Sequence, residues 1–139
     1  MVIDRRGTGE AQPTLRGFEM TQPAVPKTVT AFRHRAAVFA AERGAGPDLV
    51  HDVSLVVTEA ATNAVKYAYP PGQAGTVELS VSAEDGWLTL LIRDRGTGFG
   101  EGPSEGLGLG LMLIARVTDH FKIVQDGAGT QVLMRFVLA

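Results

Sequence analysis

Residues 76 to 92 constrain the fold of this chain more than any other stretch. Thr76-Val77-Glu78-Leu79-Ser80-Val81-Ser82 puts an apolar side chain at every second position, as a strand with one wet and one dry face requires. Asp85-Gly86 supplies a turn and Trp87 to Ile92 a returning strand, so the stretch predicts an antiparallel hairpin. A sheet with one dry face must be covered by other apolar elements, and the preceding sequence offers helices. Val29, Phe32, Ala36, Phe39 and Ala40 recur at three- and four-residue spacing, and Gly44-Ala-Gly46-Pro47 ends that helix. Asp48 is placed to cap a second helix, on which Val50, Val53, Val57, Ala60, Ala61, Ala64 and Val65 keep the period until Pro70-Pro71-Gly72 stops it.

The rest of the chain extends the same plan. Residues 1 to 13 mix glycine, charge and proline without periodicity and are expected to form a disordered tail. Leu15 to Met20 reads as a first strand, with turn and capping chemistry from Thr21 to Pro26. Residues 95 to 106 hold Gly, Pro, Ser and Glu in an order that suits a loop, and a helix is expected from about Leu107 to Thr118. Phe121 to Val124, the turn Asp126-Gly127-Ala-Gly129, and Thr130 to Leu138 close the chain as an antiparallel pair. The order strand, helix, helix, two strands, helix, two strands predicts an α+β fold: a two-layer α/β sandwich with a mostly antiparallel sheet and its helices on one face. With 139 residues there is enough chain for one core, so residues 14 to 139 are expected to form a single domain.

Composition narrows the function. A formal charge of -2 argues against binding nucleic acid by phosphate neutralisation. The absence of cysteine removes thiolate metal sites, and His34, His51 and His120 are too scattered for a zinc cluster. No window has the length of an apolar membrane span, and no hydrophobic signal core follows Met1, so the expected location is the cytoplasm.

Three clusters can carry chemistry. Glu59 and Asn63 are four residues apart on the second helix and point the same way, with Lys66 three further on. Such a set can surround a phosphate and its cation: magnesium prefers hard oxygen ligands and keeps several waters, so one Asn carbonyl plus triphosphate oxygens suffices. Glu59 is then free to act as a base. Read alone, the same face also fits an exposed helix surface with ordinary charge contacts. Asp94 ends an apolar strand, where its carboxylate can accept a hydrogen bond from an exocyclic amine such as that of adenine, and Gly96 and Gly98 permit close backbone approach and positive φ. A surface turn has the same composition. Gly106, Gly108 and Gly110 open the third helix, and free amides at a helix N-terminus bind phosphate; close packing on the sheet would explain them equally. Thr130, after Gly129, can add a hydroxyl to the base-binding region or simply suit a strand.

Together these clusters resemble the GHKL ATPase superfamily over about residues 15 to 138. Glu59-x-x-x-Asn63 with Ala64, Lys66 and Tyr67 is similar to its N box, Asp94-x-Gly96-x-Gly98-Phe99 to its first glycine box, Gly106-Leu107-Gly108-Leu109-Gly110 to its second, and Thr130 to its terminal threonine element. Thr58-Glu59 through Asn63-Ala-Val and Ser104-Glu105-Gly106-Leu-Gly108-Leu most resemble the bacterial anti-sigma-factor serine/threonine kinases. The resemblance implies a Bergerat-type ATP-binding fold with ATP and magnesium as cofactors. It implies that Asn63 ligates magnesium, Glu59 serves as the base, Asp94 binds adenine, Gly106 to Gly110 line the phosphates, and residues 99 to 106 form an ATP lid. Its implied partners are a sigma factor and an anti-anti-sigma antagonist phosphorylated on Ser or Thr, with a homodimer as in related kinases and no nucleic acid or membrane. The family often carries His where Tyr67 stands, and Lys66-Tyr67 is closer to histidine-kinase wording. A histidine-kinase-type catalytic domain acting in trans, or a binding module that uses nucleotide as a clamp without kinase activity, are therefore the alternatives.

Overall fold

The computed structural model describes residues 12–13, 16–97 and 105–138. In chain order the elements are β1 (Gln12–Pro13), β2 (Gly17–Pro23), α1 (Pro26–Glu42), α2 (Pro47–Tyr67), β3 (Thr76–Glu84), β4 (Trp87–Asp94), α3 (Glu105–Val117), β5 (His120–Asp126) and β6 (Gly129–Val137). The strands form one antiparallel sheet in the order β1-β2-β3-β4-β6-β5.

Period-two patterning becomes one apolar face through the register. Met20 lies opposite Leu79, Leu79 opposite Ile92, and Ile92 opposite Val132, so each strand turns the same side inward. That side carries Phe18, Met20, Val77, Leu79, Val81, Leu88, Leu90, Ile92, Val132, Met134 and Phe136, all buried. Phe32, Ala36, Phe39 and Ala40 of α1, Val53, Val56, Val57, Ala60, Ala61 and Ala64 of α2, and Ile114 of α3 join the same core. This is the expected two-layer α+β sandwich, with three helices on one face of an antiparallel sheet.

Several boundaries move for physical reasons. Both α1 and α2 begin on a proline in the first turn, which needs no amide donor there. Gly46, not Asp48, is the N-cap of α2; Asp48 lies inside the first turn, where its charge suits the helix dipole without a capping bond. The expected tail shortens as well, because Gln12 and Pro13 pair with Glu19 and Phe18. Residues 1–11 lie outside the described residues. The third helix starts at Glu105, two residues before the expected Leu107.

Candidate functional site

The face of α2 that carries Glu59 and Asn63 abuts α3. A Cβ added to Gly110 would lie 3.0 Å from Glu59 Oε2, 3.3 Å from Asn63 Nδ2 and 3.6 Å from Asn63 Oδ1. Two motifs distant in sequence therefore meet where a glycine leaves room for them. Glu59 is half-buried and Asn63 is buried. The Asn63 Nδ2 atom has no hydrogen-bond partner although it is shielded from solvent. An unpaired buried amide costs about 1–3 kcal/mol, so a ligand that satisfies it recovers that energy. The two ends of the amide exchange by rotation of its terminal bond. The position can thus offer a carbonyl oxygen to a cation or an amino group to a phosphate oxygen. Among the described residues no cluster of three His, Cys, Asp or Glu could hold a metal by itself, so a cation here would draw on ligand oxygens as well.

Lys66 lies in the last turn of α2 and is exposed, with Tyr67 half-buried beside it. Among the described residues no hydrogen bond or ion pair ties Lys66 to Glu59 or Asn63, so it is free to reach a ligand anion or remain in solvent.

At the other end of the site Asp94 closes β4 and is buried, 4% exposed. Its Oδ1 accepts a hydrogen bond of 3.0 Å from the Gly96 N–H. Burial pushes its carboxyl above the ordinary value, while backbone bonds from Gly96 and Thr130 pull it part of the way back. Thr130 is its register partner on β6 and is itself buried, with an unpartnered hydroxyl oxygen. Asp94 and Thr130 are thus adjacent buried polar groups with unused capacity, as a polar ligand edge would need.

The glycines are present for distinct reasons. Gly96 does not take the expected positive φ. A Cβ there would fall 1.9 Å from the Ala68 carbonyl oxygen, so its role is close approach to the end of α2, where the Thr97 N–H also donates to Ala68 O at 3.0 Å. Gly129 combines φ 137 with a virtual Cβ only 2.0 Å from the Asp94 carbonyl oxygen. Gly129, which the sequence places in the last turn, is the first residue of β6, and Ala68 carries no signal in the sequence. Gly98, Phe99 and residues 99 to 104 of the expected lid lie outside the described residues.

The glycine-rich segment is revised too. Because α3 begins at Glu105, the amides of Gly106 and Leu107 lie in its first turn and have no intrahelical acceptor, whereas Gly108 and Gly110 fall where helical N–H groups are already bonded. Gly108 is exposed and a Cβ there would meet open space, and Leu109 is 69% exposed. Gly110 is the member pressed against Glu59 and Asn63.

A helix-borne acid and amide facing a second helix, and a buried aspartate ending a strand inside the sheet, give this α+β protein two clusters of polar groups able to take a ligand. Comparison with known proteins agrees: the chain matches the histidine kinase-like ATPase domain family over residues 22–136 and belongs to that family. It is 30% identical to the serine-protein kinase RsbW of Bacillus licheniformis, covering 86% of this chain and 85% of that protein. To the RsbW of Bacillus subtilis strain 168 it is 32% identical, covering 84% and 82%. Among solved structures it is similar in fold to the RsbU and RsbW domains of a Mycobacterium tuberculosis protein, with TM-score 0.65 and 19% identity over 86% of this chain and 32% of that one. The histidine kinase domain of a blue-light activated kinase from Erythrobacter litoralis is similar at TM-score 0.57 and 21% identity, covering 79% of this chain and 60% of that one.

Proposed function

We propose that this chain is an ATP-dependent protein serine/threonine kinase of the anti-sigma type. It phosphorylates an anti-anti-sigma antagonist on Ser or Thr and holds a sigma factor inactive when that antagonist is phosphorylated. The observation that carries this reading is the convergence of Glu59 and the unpartnered Asn63 amide on Gly110 of α3. Kinship with the serine-protein kinases named above supports the protein-kinase class. Residues 14 to 139 act as one ATP-binding kinase domain in the cytoplasm, with a homodimer as the working assembly. Among the described residues no helix is long and apolar enough to cross a membrane.

The chemistry follows from placement. Asp94 accepts a hydrogen bond from the adenine amine and Thr130 offers its hydroxyl beside it. Asn63 holds the cation end of the triphosphate through its carbonyl oxygen, and the free amides of Gly106 and Leu107 face phosphate oxygens. Magnesium, when bound, neutralises phosphate charge. Glu59 accepts a hydrogen bond from the hydroxyl of the protein substrate, orients its oxygen in line with the γ-phosphorus, and takes its proton as the new P–O bond forms and the bond from the γ-phosphorus to the β,γ-bridging oxygen breaks, releasing ADP. Lys66 and Tyr67 border this end of the site.

Calorimetric titration of ATP with magnesium is the primary test. Wild-type protein binds, and Asn63→Ala reduces affinity at least tenfold; absence of wild-type binding would leave a nucleotide-free interaction domain. Glu59→Gln keeps ATP binding and loses transfer to the antagonist, and transfer that survives removes Glu59 from the mechanism. The phosphate on the partner is acid-stable. Acid-labile phosphate would instead assign the histidine-kinase chemistry that Lys66-Tyr67 resembles.

A further inference from the structure

We propose that Tyr69 is a positioning residue for the base-binding end of the site: its hydroxyl ends the pairing of β3 with β4 directly after Asp94 and so sets where that carboxylate lies. The inference rests on the nucleotide reading above.

The last register pair of β3 and β4 is Val77 with Asp94, so the next would be Thr76 with Arg95. That pair does not form. Instead the Tyr69 hydroxyl stands between the two strands: its O–H donates to the Thr76 carbonyl at 2.6 Å, and its oxygen accepts from the Arg95 N–H at 3.0 Å and from the Thr76 N–H at 3.3 Å. One phenol oxygen relays what a direct ladder bond would otherwise supply. β4 can then leave its neighbour without orphaning the backbone groups at the fork. Space for the ring is built in, because a Cβ on Gly75 would lie 2.3–2.4 Å from ring carbons of Tyr69.

The freed strand end goes toward α2. Immediately past the fork, Gly96 donates to Asp94 Oδ1 and sits on the Ala68 carbonyl, and Thr97 donates to that same carbonyl. Ala68 and Tyr69 are consecutive, so one short segment grips the turn at Arg95 and at Thr97. The segment directly follows the helix that carries Glu59 and Asn63. It therefore fixes the base-binding acid relative to the phosphate-binding face. Without the hydroxyl, Arg95 N–H and Thr76 C=O are in register to bond each other, which would draw the turn toward β3 and away from Ala68.

The test is Tyr69→Phe, which keeps the ring on Gly75 and removes only the relay, with Gly75→Ala as a second variant that displaces the ring. ATP and inosine triphosphate are titrated by calorimetry into each protein with magnesium. Melting temperature and amide exchange at Arg95 and Thr97 are measured without nucleotide. Inosine carries a 6-oxo group that cannot donate to Asp94, so the ratio of the two affinities reports the carboxylate position. In both variants ATP affinity is expected to fall about fivefold while inosine triphosphate affinity holds, the scale of one hydrogen bond. The Thr97 amide, drawn off the Ala68 carbonyl, exchanges faster than in wild type, the Arg95 amide stays protected by its direct bond to Thr76, and melting of Tyr69→Phe stays close to wild type. Equal loss of both nucleotides together with a lowered melting temperature would assign Tyr69 a structural role alone and overturn the proposal. An unchanged ratio in Tyr69→Phe, with wild type discriminating, overturns it while leaving the nucleotide reading intact. A wild type that binds neither nucleotide sinks the nucleotide reading, and the positioning role falls with it.

Discussion

Asp94 shows how one buried group links stability to binding. Desolvation raises its carboxyl pKa above the ordinary 3.8, so between that value and the folded one the native state holds more protons than the unfolded chain. Stability from this group therefore declines as pH rises through that window. Above the window the cost of the buried charge is fully present, and it is removed as pH falls through the folded value. In the proposed base site, adenine binding would have the opposite preference, because only the ionised carboxylate is an acceptor without a competing proton. ATP affinity of the wild type should weaken on acidification at a pH above the ordinary Asp range, and Asp94→Asn should lose that component. Comparing the two proteins by calorimetry across pH cancels titration of the triphosphate itself; parallel profiles would exclude Asp94 from the base site. Gly110 poses a second conflict at one residue. An alanine inside a helix is better than glycine by about 1 kcal/mol, yet here its Cβ would press on the Glu59 carboxylate at 3.0 Å. Gly110→Ala is expected to leave melting temperature equal or higher while ATP affinity drops severalfold, and unchanged affinity would show that Glu59 and Asn63 do not need this spacing.

The relations between elements were only partly legible in the sequence. The hairpin of β3 and β4 could be read because its alternation has period two over seven residues and its turn has a distinctive Asp-Gly pair; Asp85 takes φ 53 and Gly86 φ 81 there. Glu59 and Asn63 could be placed on one helix face because four residues span about one turn. Their meeting with Gly110 could not, since helix packing depends on side chains far apart in sequence. Likewise Gly96 reads locally as a turn glycine, and only the close approach of Ala68 shows why a side chain is barred. Tyr69 gave no signal, because a tyrosine just beyond a helix has no period to belong to. The junction of α2 with β4 yields its own prediction. Gly96→Ala must separate the turn from the helix end, since a Cβ 1.9 Å from a carbonyl oxygen cannot be accommodated. It should lower unfolding free energy by about 1–3 kcal/mol, the usual scale of overpacking, and weaken ATP binding together with it. Denaturant unfolding at matched temperature would check this, and wild-type stability would mean that the junction opens freely.

Across the whole molecule the sheet is strongly asymmetric, with three helices on one face and short side chains, ion pairs and scattered apolar groups on the other. The second face carries Glu78 with Arg93 at 3.6 Å and Arg135 over the Trp87 ring at 4.3 Å. Between them Leu91 and Leu133 are register partners and half-buried. Pairs of this kind, half-buried at the surface and open to solvent on one side, contribute little to stability, so most of the free energy of folding rests on the helical side. Neighbouring leucines on β4 make that claim measurable. Leu90 points into the core with 0% exposure, whereas Leu91 points the other way. Leu90→Ala should cost about 2–5 kcal/mol through lost burial and a cavity that rigid neighbours cannot fill. Leu91→Ala removes the same atoms from a site that solvent already reaches, and should cost less than half as much. Urea unfolding of the two variants over a range of protein concentration supplies the comparison. Equal costs that grow with concentration would mean that the second face is buried in solution by another copy of the chain, since only an associating surface makes apparent stability depend on concentration.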